Sequence, residues 1–105
     1  MALIKACLVE DVPLNSMREV SILGRALLIA NSDGHYYAMD GTCSHQFANL
    51  ALGSIDDLIV TCPLHGARFD VRTGKVVQGL GPEERVNDLR AYRVEVIEGC
   101  LHIDM

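Results

Sequence analysis

Four residues in the middle of the chain combine metal-binding types with metal-binding spacing. Cys43 and His45 stand one residue apart in the stretch CSH, and Cys62 and His65 stand two apart in CPLH, with sixteen residues between the two units. Each short unit offers one thiolate and one imidazole. Zinc fingers usually take two sulfurs from one loop and two nitrogens from another, whereas one of each per loop suits a two-iron, two-sulfide cluster with both cysteines on one iron and both histidines on the other. Zinc remains the alternative at this point. In either case the two units must converge, and a hairpin between them, Gly53 to Ile55 returning as Leu58 to Thr61, would set them side by side. Pro63 fixes the first bend of the second unit, and Gly66 permits a close approach or a positive φ.

The elements that must position these residues read as strands. Leu3 to Val9, Arg18 to Leu23, Ala26 to Asn31 and His35 to Met39 are predicted strands, with turns at Asp11 to Ser16, around Gly24 and at Asn31-Ser32-Asp33-Gly34. Tyr92, Val94 and Val96 alternate with Arg93 and Glu95 at a period of two, and Gly99 turns the chain into Leu101 to Ile103. Between them, residues 40–77 are dense in Gly, Cys, His and Pro. Arg68 to Val71 reads as a strand there, Asp56-Asp57 as one hairpin turn and Thr73-Gly74 as another. No stretch holds a helical period. The expected fold is all-β: one domain over 1–105, with an antiparallel β-sandwich base from 1–39 and 78–105 and an inserted cluster-binding lobe at 40–77.

Composition narrows the function classes. The 105 residues are 50% hydrophobic and 22% charged, the balance of a folded domain rather than a disordered one. The formal net charge of −5 provides no basic face for nucleic acid. The longest apolar runs, such as Ala26 to Ala30, are too short to span a bilayer, and Met1 to Val12 lacks the form of a secretion signal, so neither membrane nor export is expected and the cytoplasm is. Cys7 and Cys100 fall in terminal strands and read as buried thiols, with a disulfide possible only if those strands are neighbours. His35 has no cysteine close by.

Over Thr42 to Val77, as TCSHQFANL and TCPLHGARFDVRTGKV, the sequence resembles the Rieske proteins, and most closely their small soluble ferredoxins that serve bacterial ring-hydroxylating dioxygenases. The resemblance implies a β-sandwich under a cluster-binding lobe and a [2Fe–2S] cluster held by Cys43, His45, Cys62 and His65. It implies a monomeric one-electron carrier, not an enzyme, that takes electrons from a flavoprotein NAD(P)H reductase and gives them to a terminal oxygenase, with His45 and His65 as the points of entry and exit. A hydroxylase would need a second iron site of two histidines and a carboxylate, and only His35 and His102 remain for it. Other readings are the small Rieske subunit of a larger oxidoreductase such as an assimilatory nitrite reductase, and a zinc-stabilised interaction module.

The same resemblance orders the neighbours of the four ligands. Respiratory relatives carry an extra cysteine in each ligand loop, forming a disulfide, where this chain has Ala48 and Leu64. They also carry serine and tyrosine hydroxyls that bond cluster and ligand sulfur, where this chain has Ala67 and Phe69. Fewer donors make reduction harder, so the expected potential is near the low end of the Rieske range, roughly −150 mV. Gln46, Phe47, Ala48, Pro63 and Leu64 read as an apolar rim or lid, and Gly79-Leu80-Gly81-Pro82 as a third covering loop. Asp56-Asp57 and Glu83-Glu84 are acidic positions that could meet a basic reductase. Arg68, Arg72 and Lys75 read as solvated strand-end and turn residues.

Overall fold

The structure is a computed structural model and describes residues 2–44, 48–64, 66–82 and 84–105. His45 and His65 lie outside the described residues, as do Gln46, Phe47 and Glu83. Among the described residues eleven strands form three antiparallel sheets, and there is no α-helix. The strands are β1 (Leu3–Leu8), β2 (Ser16–Ile22), β3 (Arg25–Ser32), β4 (His35–Asp40), β5 (Ser54–Asp56), β6 (Ile59–Thr61), β7 (Arg68–Asp70), β8 (Val76–Gln78), β9 (Ala91–Tyr92), β10 (Val94–Ile97) and β11 (Cys100–Asp104). The sheets run β1-β11-β10, β2-β3-β4-β9 and β5-β6-β7-β8. No helix among the described residues is long and apolar enough to cross a membrane.

The central sheet carries apolar cover on both faces, and β3 shows why. Side chains alternate between faces along a strand. Leu27 and Ile29 join Ala38, Tyr92, Leu101 and Ile103 in one buried cluster. Leu28 and Ala30 join Met39, Leu50, Val60 and Phe69 in a second. The apolar run through β3 is therefore a strand buried on both sides, and its neighbour Asn31 satisfies its amide by donating to the Val12 carbonyl (2.9 Å) and accepting from the Gly34 N–H (3.0 Å).

Tight turns set the register. Leu23-Gly24, Asp33-Gly34 and Glu98-Gly99 each place two successive residues at positive φ, the backbone of the two-residue hairpin turns whose twist matches that of the strands they join. Asp57 also has a positive φ, 57°, at the β5–β6 turn. Its carbonyl accepts a 2.6 Å bond from Ser32 Oγ, which ties that turn to the β3–β4 turn of the central sheet.

Two local features depart from the strand expectations. The alternating run from Tyr92 to Val96 is two strands: Tyr92 pairs with Ala38 of β4, while Val94 pairs with Ile103 of β11, so the chain changes sheet at Arg93. In β1 the register shifts between Lys5 and Cys7, with Ala6 as the extra residue of a bulge. Cys7 and Cys100 do lie on paired strands, but Cys7 is opposite Leu101 and Cys100 opposite Leu8, which puts the two thiols on opposite faces. Both are half-buried rather than buried, and no disulfide joins any cysteine pair among the described residues. Burial and the nearby Asp11 carboxylate hold the Cys7 thiol above its ordinary pKa.

The chain leaves the central sheet at Asp40 and returns to it at Arg90. Their backbones meet: the Asp40 N–H donates to the Arg90 carbonyl (2.9 Å), and the Arg90 N–H donates to Asp40 Oδ2 (3.1 Å).

Candidate metal centre

The two stretches that carry the cysteines are built alike. The Cys43 N–H donates to the Ala48 carbonyl at 2.9 Å, and the Cys62 N–H donates to the Ala67 carbonyl at 2.8 Å. In each case a cysteine is bonded to an alanine five positions on, closing a loop that contains a sequence-predicted histidine. Ala48 and Ala67 are both buried, as a small side chain must be where two backbone segments draw together.

The surroundings fix each loop. The first follows β4; Thr42 bridges to Asn49, the Leu50 N–H donates to the Gly41 carbonyl (2.9 Å), and Asn49 Oδ1 caps the short 3-10 turn at the Ala51 N–H (3.0 Å). A side chain at Gly41 would meet the Leu27 backbone at 2.9 Å, so glycine permits this crossing of β3. The second loop joins β6 to β7, whose pairing runs Ile59–Asp70, Val60–Phe69 and Thr61–Arg68. At Gly53 a side chain would strike the Thr61 carbonyl, so the β5–β6 hairpin that draws the loops together also needs glycine at its base.

Cys43 (1% exposed) and Cys62 (4% exposed) belong to one apolar cluster with Leu28, Met39, Leu50, Val60 and Phe69. Two soft donors thus belong to one apolar cluster, each at the head of one of two matched loops. That fits a group that takes thiolate sulfur and needs protection from water. Among the described residues no three His, Cys, Asp or Glu side chains gather to hold a metal ion; the two histidines that would complete the set lie outside them.

The rim is uneven. Pro63 and Leu64 are exposed, Leu64 by 57%, whereas Ala48 is packed inside. In the third loop Leu80 packs against the core cluster while Gly79, Gly81 and Pro82 remain exposed. An open cleft of about 270 Å³ reaches Cys43 from the side, between Arg25, Asp40, Thr42, Ser44 and Leu89. Arg72 is held by Asp70 through two side-chain bonds (2.9 and 3.1 Å), and this pairing keeps the Asp70 carboxyl below its ordinary pKa.

Sequence reasoning missed the segment that returns from β8 to the base. Its described residues form no regular strand, yet backbone and side-chain bonds fasten it. Ser44 Oγ donates to the Asn87 carbonyl (2.7 Å) and accepts from the Asn87 N–H (3.0 Å). Asp88 Oδ1 accepts from the Val76 N–H (2.8 Å), and the Leu89 N–H donates to the Gly74 carbonyl (2.7 Å). Val86 and Leu89 pack on the cluster that contains both cysteines.

Comparison with known proteins bears on the chain as a whole. The family model for the Rieske [2Fe-2S] domain matches residues 2–93. The chain is 32% identical over 91 residues to the ferredoxin component of the naphthalene 1,2-dioxygenase/salicylate 5-hydroxylase systems of Ralstonia sp., covering 87% of this chain and 83% of that one. It is 39% identical over 77 residues to the biphenyl dioxygenase ferredoxin subunit of Pseudomonas sp. strain KKS102, covering 72% and 71%. Among solved structures, the Sphingomonas yanoikuyae B1 ferredoxin superposes with a TM-score of 0.85 at 28% identity, over 99% of both chains. A chain in the complex of reduced oxygenase and oxidised ferredoxin of carbazole 1,9a-dioxygenase superposes with a TM-score of 0.83 at 30% identity, over 96% of this chain and 91% of that one. With two matched, cysteine-bearing loops over a β base and a family match along most of its length, the chain belongs to the Rieske [2Fe-2S] domain family.

Proposed function

We propose that the chain is a one-electron carrier of a multicomponent oxygenase system, in the cytoplasm, receiving electrons from a flavoprotein NAD(P)H reductase and delivering them to a terminal oxygenase. The observation that carries this reading is the match to dioxygenase ferredoxin components, such as that of the naphthalene 1,2-dioxygenase/salicylate 5-hydroxylase systems over 87% of this chain. The carrier is not itself an enzyme and works as a monomer. Its base is 1–39 and 78–105 and its cluster-binding lobe 40–77, with the segment through Leu89 fastened back onto that lobe.

In this proposal Cys43 and Cys62 supply thiolates to one iron, and His45 and His65 supply imidazoles to the other. When bound, the [2Fe–2S] group supplies reversible one-electron chemistry at a potential raised by its histidine ligands relative to an all-cysteine site. The protein holds the two thiolates out of water: both cysteines are buried, and Leu50, Val60 and Phe69 surround them with carbon. Ala67 and Phe69, also fully buried, carry no N–H or O–H donor, so neither of these two side chains withdraws electron density from the thiolates.

The test is direct. Purified protein should be red-brown, bleach with dithionite and contain two irons and two acid-labile sulfides per chain, as the assigned cluster requires. Cys43→Ser and Cys62→Ser should abolish the colour, and His45→Ala and His65→Ala should remove the Rieske-type spectrum. A colourless protein holding a single zinc ion would overturn the proposal.

A further inference from the structure

We propose that Ser44 is a positioning residue, whose hydroxyl clamps the first ligand loop to the backbone of Asn87 and thereby sets the geometry of the metal centre. This inference rests on the ligand assignment proposed above. Ser44 stands between Cys43 and His45, so any rotation of the backbone there moves one candidate ligand relative to the other. Its hydroxyl uses both of its capacities on one residue, donating to the Asn87 carbonyl at 2.7 Å and accepting from the Asn87 N–H at 3.0 Å. The contact spans 43 positions of sequence and reproduces, with a side chain, the paired bonding of a strand ladder.

A clamp is useful only if its far jaw is fixed, and Asn87 is fixed on both sides. After it, Asp88 Oδ1 accepts from the Val76 N–H, the Leu89 N–H donates to the Gly74 carbonyl, and the Arg90 carbonyl accepts from the Asp40 N–H. Gly74 allows the closest of these contacts, since a side chain there would run into the Leu89 carbonyl. Before it, Val86 packs on the apolar cluster that holds the cysteines. The second loop is held otherwise. Its corresponding residues, Pro63 and Leu64, have no side-chain hydrogen-bonding group, and the proline ring restricts the backbone instead. The hydroxyl at Ser44 thus supplies by bonding what the ring supplies by covalent constraint.

The experiment compares loaded wild type with Ser44→Ala, Ser44→Thr and Asn87→Ala. Three properties are read: the midpoint potential, the g values of the dithionite-reduced protein, and the rate of bleaching in a ferrous chelator. Ser44→Ala should shift the potential and g values and bleach roughly tenfold faster, the effect of losing two ordinary hydrogen bonds. Ser44→Thr should restore wild-type values, and Asn87→Ala should match wild type because only backbone groups of Asn87 are used. A loaded Ser44→Ala protein with wild-type potential, g values and bleaching overturns the clamp, even if it melts earlier. If Ser44→Ala does not fold, Asn87→Pro, which deletes the N–H donor, is measured against the same criteria. Wild type without iron and sulfide would instead overturn the ligand assignment itself.

Discussion

The Tyr92 hydroxyl donates to Asp40 Oδ1 at 2.8 Å, joining the strand by which the chain leaves the central sheet to the one by which it returns. Asp40 also accepts from the Arg90 N–H through Oδ2 and lies 3.6 Å from the Arg25 guanidinium, while Arg90 stacks over the Tyr92 ring at 5.4 Å. Removing the hydroxyl leaves a carboxylate one partner short, so Tyr92→Phe should lower stability by about 1–2 kcal/mol in urea unfolding. Burial, then the hydrogen bond to Asp40 and its charge, hold the Tyr92 phenol above its ordinary pKa of 10.0. A raised pKa in the folded state adds stability below the unfolded value and loses it as pH rises through the folded one. Wild type should therefore weaken above pH 10 more steeply than Tyr92→Phe; parallel alkaline limbs would refute the link.

The buried, donor-free side chains beside the cysteines predict a low potential. Redox titration should give a value near the bottom of the Rieske range, roughly −150 mV. Ala67→Ser and Phe69→Tyr should each raise it, because an added hydroxyl stabilises negative charge on sulfur. Both positions are fully buried, so each variant is first shown to fold with the wild-type circular dichroism spectrum. A strongly positive wild-type potential would exclude this account.

Leu23 is an awkward residue for its turn. It sits at φ 54° before Gly24 and is 75% exposed, so it takes left-handed backbone and no burial compensates. Leu23→Asn should stabilise the protein by about 1 kcal/mol, since Asn-Gly is the preferred pair for such a turn. The thermal midpoint reports the gain, and the potential should not move.

Loss of the metal centre should loosen the chain unevenly. β5 to β8 are three residues each and share their apolar cluster with both cysteines, whereas β3 is eight residues long and covered on both faces. In apoprotein, amide exchange should accelerate most at Ile59–Thr61 and Arg68–Asp70 and least at Leu27–Ile29. Uniform acceleration would show that the centre stabilises the molecule globally.

What could be read in advance follows from how local each signal is. The hairpins at Asp33-Gly34 and Glu98-Gly99 were legible because two residues determine such a turn. The strand pair between the cysteine loops was legible for the same reason, with Asp57 accepting the positive φ that its turn requires. The change of sheet at Arg93 was not, because alternation reports which face a residue takes and not which strand it pairs with. Nor was the bulge at Ala6, which lets both Ala6 and Cys7 pack against the same cluster. The return segment through Asn87 and Asp88 carries no periodicity at all. Long-range bonds from Ser44 and Val76 hold it, and a single chain read in order offers no sign of them. Of the four predicted ligands, the structure brings Cys43 and Cys62 into one cluster, while His45 and His65 lie outside the described residues.

The meeting of Asp40 with Arg90 has an architectural consequence. Departure and return face each other at the end of the β4–β9 ladder, so to the central sheet everything between them is a single, very long hairpin loop. The host contributes more than two adjacent strand ends: Leu28, Ala30 and Met39 of the central sheet share the lobe's core, and Ser32 Oγ holds the Asp57 carbonyl. Moving the metal-bearing unit to another antiparallel sheet would therefore mean carrying over that face of β3 and β4 as well.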